Sequence, residues 1–423
     1  MKILISHPTG NANVRAIAEG LASKGVLYQF NTTIAAFPGN IWFTLGGFRP
    51  LAKFRRRNFD RILQPLTKSY PWDELGRILA KKLKLKSLVQ HENGKFSVDQ
   101  IYIRFDKHVA KKLLSAKKNG VTAVYAYEDG ALETFKEAKK LGLICIYDLP
   151  IAYWEIGRKL MLEEAIRLPN WAKTLGGGIK DSPKKLERKR EELELADIVV
   201  GPGSFVLSSL PEWAKNKKTI QSPFGSPVFI EPNYKKETNL KGISKSLRIL
   251  FVGSMGQRKG LGDLFEAMKL VNNPNIELIV LGSLLAPLEF YKSEFADFKF
   301  EVGRAHSEVL TLMQSCDVFC LPSIVEGRAL VMQEAMSQGL PIIITANTGG
   351  EDLVIEGKTG FLIPIRSPKA IAEKINWFYE NKSYLPEMGE KAKIHAAKYT
   401  WENYAETIYD ELNNENYYNT ITK

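Results

Sequence analysis

LRILFVGSMGQRKGLGDLFEAMKLV, residues 247–271, changes character in the middle. Its opening LRILFV is a largely apolar run of strand length, and LGDLFEAMKLV at its end reads as a helix. Between them GSMGQRKG, residues 253–260, carries three glycines and the cations Arg258 and Lys259. Strand, glycine turn and helix form the repeating unit of a parallel α/β sheet.

The pattern extends in both directions. Downstream come the strands IELIVLGS and DVFCLPS, a helix through LVMQEAMSQG and the strand PIIITAN. GFLIPI follows, and then two helices, the last being TWENYAETIYDELNN. Upstream, KILISHP runs into the polar turn TGN and a helix with Val14, Ile17, Ala18 and Leu21 at helical spacing, closed by Gly25. GVTAVYAYEDGALETFKEAKKLG, LICIYDLP, the charged helix SPKKLERKREELELA and the strand DIVVGPG continue the alternation. The stretch PFGSPVFIEPNYKKETNLKGISKS lacks periodicity and reads as a linker. The expected architecture is α/β, with two doubly wound Rossmann-like domains facing a cleft. Residues 1–222 form the first domain, 223–246 the linker, 247–398 the second domain and 399–423 a closing segment. Ligands of such sheets bind at the carboxyl ends of the strands, which places the site between the domains.

At 423 residues, two domains are the default, and 44% hydrophobic with 25% charged residues is ordinary globular composition. The N-terminal apolar run is too short for a signal peptide, and no stretch reaches membrane-span length, so a cytoplasmic protein is expected. Cys145, Cys316 and Cys320 are too few for a disulfide framework, and no histidine lies near enough in sequence to complete a metal site. Neither a metal nor a cofactor is expected.

The net charge of +12 is unevenly spread: residues 1–250 hold 43 basic and 24 acidic side chains, the remainder 16 and 23. Only the first half therefore suits an anionic partner. Residues 49–86 contain twelve Lys and Arg against three acids, with Trp42, Phe43, Phe48, Phe54 and Phe59 just before or among them. That mixture suits an anionic membrane face; the plainer alternative is a solvated basic helix. No helix-turn-helix, zinc finger or RNA-binding aromatic motif accompanies the charge, so nucleic acid is not expected.

SIVEGRALVMQEAMSQGLP, residues 323–341, holds Glu326 and Glu334 eight positions apart. Gly327 and Pro322 put Glu326 in a loop, with a helix starting near Arg328 or Ala329. Eight helical residues span roughly 12 Å, too far for paired glycosidase carboxylates but suited to gripping both ends of an extended ligand. Between the acids lies a helix N-terminus, which attracts phosphate. A sugar–diphosphate–ribose ligand fits that order of groups.

These residues carry a resemblance. EGRALVMQEAMSQGLP, TGGEDLVIEGKTGFLIP, FVGSMGQRKGLGDLFEAM and TWENYAETIYDEL resemble the retaining glycosyltransferases of family 4, which have the GT-B fold. The resemblance covers about residues 247–415; the first half is similar only loosely. It implies that Glu326 contacts donor-sugar hydroxyls and Glu334 the ribose. Lys259 would bind the diphosphate, helped by the turn at Gly253 and by the helix start at Gly327, Arg328, Ala329, Leu330 and Val331. Gly10 and Asn11 would approach from the first domain. Ser254 stands where the family often has arginine, shifting load to Arg258, and Asp148 lies where many members carry a nearby histidine. A closing helix returning to the first domain is also implied. The implied reaction moves a sugar from a nucleotide-sugar to a glycan or lipid-linked acceptor with retained configuration, and the absence of any D-x-D agrees with a metal-independent site. A nucleotide-sugar epimerase or hydrolase, or a non-catalytic membrane-binding protein, remains the alternative. Glu128 and Asp129 are expected to be helix caps, and His7 and His306 ordinary loop residues.

Overall fold

A computed structural model describes residues 1–48, 54–55, 57–227 and 246–414. Most of the linker and the last nine residues thus lie outside the described residues, as do residues 49–53 and Arg56 of the basic stretch.

Two parallel sheets carry the fold. The first is built from β1 (Ile3–Ser6), β2 (Leu27–Thr32), β3 (Thr67–Ser69), β4 (Ala123–Tyr127), β5 (Ile144–Asp148), β6 (Ile198–Gly201) and β7 (Lys218–Gln221), in the order β3-β2-β1-β4-β5-β6-β7. The second contains β8 (Leu247–Val252), β9 (Ile276–Leu281), β10 (Phe298–Glu301), β11 (Val318–Leu321), β12 (Ile342–Thr345) and β13 (Gly360–Ile363), in the order β10-β9-β8-β11-β12-β13. Strand order reverses beside β1 and beside β8, which places a ligand crevice after the first strand of each sheet. β4, β11 and β12 are buried along their whole length, as strands covered by helices on both faces require.

Strands β3, β7 and β10 went unread in the sequence because they are short edge elements, and the interior β2 because LYQFNT mixes polar with apolar residues. Three helices, not two, close the chain: Pro368–Glu380, Leu385–Ala396 and Trp401–Asn413. The last one returns to the first domain. Its Tyr404, Ala405, Ile408 and Leu412 join the core around β1, and Ala405 packs where a Cβ on Gly20 would come within 2.4 Å.

The boundary at residue 222 has an exception. After β5 the helix Trp154–Arg167 and the turn Pro169–Thr174 leave the first domain and pack on the second. Trp171 is buried in the second domain's core, edge-on to Phe265, Phe290 and Tyr291. A separate apolar cluster of Ala152, Met161, Ile324 and Val325 fills the junction between the halves.

Candidate functional site

The turn after β8 owes its shape to close backbone approaches. Gly260 has φ +71°, and a Cβ there would lie 2.0 Å from the Pro322 carbonyl oxygen; the contact excludes any larger residue. The turn lies against the loop before the helix Leu330–Ser337, where Ile324 N–H donates to the Arg258 carbonyl at 2.9 Å. Arg258 and Lys259 thereby converge on one carboxylate. Lys259 Nζ lies 2.6 Å and Arg258 Nη1 2.8 Å from Glu326 Oε1. Glu326 is buried, and two cations around one acid leave a local excess of one positive charge. Arg258 also donates to the Val325 carbonyl, which fixes its fork.

Next to this trio the helix Leu330–Ser337 begins. Its N-cap is Ala329, which offers no side-chain cap, so the free N–H groups of the first turn keep their pull on anions. The amide of Ala329 itself is engaged, donating to Thr348 O at 3.1 Å, which leaves Leu330 and Val331 as the amides to consider. Four residues into that helix, Glu334 meets His306 Nε2 at 3.0 Å. His306 is therefore not a bystander in a loop: it opens the helix His306–Gln314 and holds the carboxylate from the side.

Gly327 and Arg328 serve the architecture. A Cβ on Gly327 would come 1.8 Å from the Pro150 carbonyl, so glycine there lets the two domains touch. The Arg328 side chain points away from the trio and is fully buried. It bonds Gln333 Oε1, Gly349 O and the Asp352 carboxylate, and lies over the Tyr399 ring.

On the first-domain side, the turn after β1 is organised by His7. Its Nδ1 accepts from the amides of Thr9 (3.0 Å) and Gly10 (2.9 Å), which assigns the ring proton to Nε2. Burial, with Arg57 adding to it, pushes the imidazole down to about 3, so it is neutral. Gly10 has φ +64° and lies against Phe59. Asn11 is exposed and accepts from the Thr9 hydroxyl. A histidine three residues before a turn glycine was the signal that the sequence reading passed over.

Asp148 is not brought to this group. It is buried between Tyr125, whose hydroxyl donates at 2.6 Å, and Tyr404 of the returning helix at 3.3 Å; burial pushes it up to about 7. Glu128 and Asp129 are not caps either, because both pair with the buried Lys189. The helix Leu132–Lys140 is instead capped from other elements: Glu192 accepts from the amides of Ala131 and Leu132, Asp106 from those of Glu133 and Thr134.

The basic stretch divides as well. Phe54 and Phe59 are core residues, and Arg57 is an internal strut that bonds Pro8 O, Thr33 Oγ1 and Glu74. Arg55 lies over the Phe43 ring. No helix among the described residues is long and apolar enough to cross a membrane.

A bracing network behind the second turn had no sequence signal. Gln257 is fully buried; its amide donates to Glu164 (2.7 Å) and Asp263 (2.8 Å) and accepts from Gly262 N–H (3.0 Å). Arg167 bridges the same two carboxylates, and Thr174 Oγ1 accepts the Gln257 backbone N–H. Chain from the first half of the sequence thus holds the turn that presents Arg258 and Lys259.

With this geometry in hand, similarity to known proteins becomes informative. Residues 234–398 match the family glycosyl transferases group 1. An uncharacterized glycosyltransferase of Methanocaldococcus jannaschii is 30% identical over 168 residues, 38% of this chain and 48% of its own. The capsular polysaccharide biosynthesis glycosyltransferase CapM of Staphylococcus aureus is 28% identical over 224 residues, 50% and 57% of the two chains. A D-inositol 3-phosphate glycosyltransferase of Corynebacterium urealyticum is 31% identical over 182 residues, 40% and 43%. The chain spans about half the length of these relatives. Two solved structures resemble the whole chain. Sucrose-phosphate synthase from Thermosynechococcus elongatus has TM-score 0.64 at 17% identity, covering 97% of this chain and 99% of its own. Anabaena HepE in complex with UDP has TM-score 0.61 at 15% identity, with the same coverage. At those identities the likeness establishes the fold, and the fold is GT-B.

Proposed function

We propose that this chain is a retaining glycosyltransferase that moves a sugar from a nucleotide-sugar to a hydroxyl of a glycan or lipid-linked acceptor. The observation that carries the reading is the convergence of Lys259 and Arg258 on Glu326 beside a helix N-terminus without a side-chain cap. A donor entering here exchanges the ion pairs for its own groups: sugar hydroxyls to Glu326, diphosphate to the cations and the Leu330 and Val331 amides, ribose to Glu334. As the bond between the anomeric carbon and the diphosphate oxygen breaks, negative charge grows on that oxygen. Fixed cations and amide dipoles stabilise it without reorganising. The acceptor oxygen attacks the same face, and its proton passes to the departing phosphate oxygen. The donor-side chemistry requires no metal or other cofactor from the protein. The relatives' names support a role in surface polysaccharide or glycolipid assembly.

The test is native mass spectrometry against a panel of nucleotide-sugars, followed by product analysis with and without acceptor lipids and glycans. Glu326→Gln and Lys259→Ala are each expected to lower transfer at least about a hundredfold with the fold intact. Full activity in either variant, or donor turnover equally fast without acceptor, would overturn the reading.

A further inference from the structure

The helix Trp72–Lys82 has one face accounted for and one that is not. Inward, Glu74 is buried and pairs with Arg57 and Arg77, Ala80 is buried, and Gly76 lies so near Phe96 that a Cβ would come 2.4 Å from its ring. Outward, Trp72, Leu79 and Leu83 are 81%, 56% and 58% exposed. At roughly 100° per residue these three positions fall within about 40° of one another, forming a single apolar stripe. The chain then runs through KKLKLKS, residues 81–87, every one of them exposed. Lys81, Lys82, Lys84 and Lys86 flank the exposed Leu83 and Leu85. Between residues 75 and 90 there is no acid.

An exposed tryptophan and a row of leucines set among lysines is the composition of a helix that lies in a bilayer interface. We propose that this ridge docks the protein on an anionic lipid surface, with Trp72, Leu79 and Leu83 entering the headgroup region and the four lysines meeting lipid phosphates. Charge complementarity selects the occupant. An apolar protein partner would match the stripe but not four lysines without an acid among them, and a soluble polyanion would match the charge but not the stripe. Trp72 adds a geometrical reason. It rims a small cavity with Thr33, Ser69, Tyr70, Phe105 and His108, at the carboxyl ends of β2 and β3, the edge of the sheet where ligands gather. Docking through this ridge brings lipid-borne groups to that edge. The membrane contact narrows from residues 49–86, within which Arg57 is internal, to residues 72–86. It stands whether or not the chain transfers sugars.

The experiment is sedimentation of the full chain with vesicles of phosphatidylcholine, alone or mixed in equal parts with phosphatidylglycerol. Binding is expected only to the mixed vesicles and weakens with salt. The Lys82→Glu, Lys84→Glu, Lys86→Glu triple variant is expected to bind at least tenfold more weakly. Since all three side chains are exposed, its thermal melt is expected to match the native protein's. Tryptophan emission is expected to shift to the blue on mixed vesicles, and the shift to vanish in Trp72→Phe, which still binds. Equal binding to neutral vesicles, or an unchanged triple variant, overturns the proposal. So does binding of dextran sulfate without vesicle binding, which would assign the ridge to soluble polyanions. Self-association relieved by Leu79→Ser with Leu83→Ser would assign it to a second copy and equally overturn it.

Discussion

The turns after β1 and after β8 occupy the same place in their respective sheets, yet they are organised by different groups. Residues 7–11 take their shape from His7, which follows the strand and accepts two of the turn's own amides, while Arg57 and Thr33 bond the Pro8 carbonyl from outside. Residues 253–260 are held from outside, by Gln257 reaching Glu164 and by Thr174, both in chain that departs from the first domain. The first turn presents a backbone and the exposed Asn11; the second presents two cations. On the proposed reading the second turn sets its charge against a departing phosphate, and rigid support behind it fits that task, because preorganised charge acts without reorganisation.

The largest expected contrast between the turns is catalytic. Lys259→Ala removes a fixed cation and is expected to lower kcat roughly 10²–10³-fold, the usual cost of losing one donor to a developing oxyanion. Asn11→Ala on the first turn is expected to change it less than about tenfold, as a positioning contact without charge. Steady-state kinetics on both variants checks the contrast, and equal losses would erase it.

The support behind the second turn is tested through stability. Gln257→Leu leaves Glu164 and Asp263 without their amide donor and Gly262 N–H without its acceptor. Arg167 still holds both carboxylates, so the main loss is the unpaired Gly262 N–H, expected to cost about 2 kcal/mol. Urea unfolding should show a lower midpoint, and hydrogen exchange should rise first in residues 253–260. Unchanged exchange there would mean that the turn does not depend on this brace.

What the sequence made legible follows the same division. The second domain was readable because LRILFV, the glycine turn and LGDLFEAM are local signals, and because Glu326 and Glu334 lie on one loop and one helix. The brace was not, since Glu164 and Gln257 are 93 positions apart and nothing local marks either residue as a partner. Trp171 was counted with the first domain for the same reason: its environment comes from Phe265, Phe290 and Tyr291, well over a hundred residues away in two cases. Asp148 misled in the other direction. The resemblance put it where many members carry a nearby histidine, and its enclosure by Tyr125 and by Tyr404, the latter from the far end of the chain, shows why it is internal.

The first turn offers a smaller but cleaner test of how tightly it is packed. Gly10→Ala combines a left-handed backbone, φ +64°, with a Cβ 2.4 Å from the Phe59 ring. Gly25→Ala has a similar φ, +72°, and nothing within 4 Å. Backbone strain alone is expected to cost about 1 kcal/mol at Gly25, and strain with overlap about 2–3 kcal/mol at Gly10. Equal losses in thermal melts would show that Phe59 yields freely and that the turn is not packed as tightly as its contacts suggest.

The smallest effect concerns two buried groups of opposite sign. His7 titrates near 3 in the folded chain and near 6.5 when unfolded, so the unfolded chain binds the extra proton between those values. Its contribution is present above pH 6.5 and is lost as pH falls toward 3. Asp148 titrates near 7 folded and near 3.8 unfolded, so here the folded chain binds the extra proton. Its contribution is present at low pH and is lost as pH rises from about 4 to about 7. Between pH 4 and 6.5 the two slopes oppose each other, each on the order of 1 kcal/mol per pH unit, and the native protein is expected to be nearly flat with respect to them. His7→Gln should uncover the Asp148 slope, with stability falling as pH rises. Asp148→Asn should uncover the His7 slope, with stability falling as pH drops. Chemical denaturation from pH 4 to 7 on the three proteins reads all of this directly. Parallel profiles would mean that neither group keeps its buried state, and the turn after β1 would then lose its neutral acceptor.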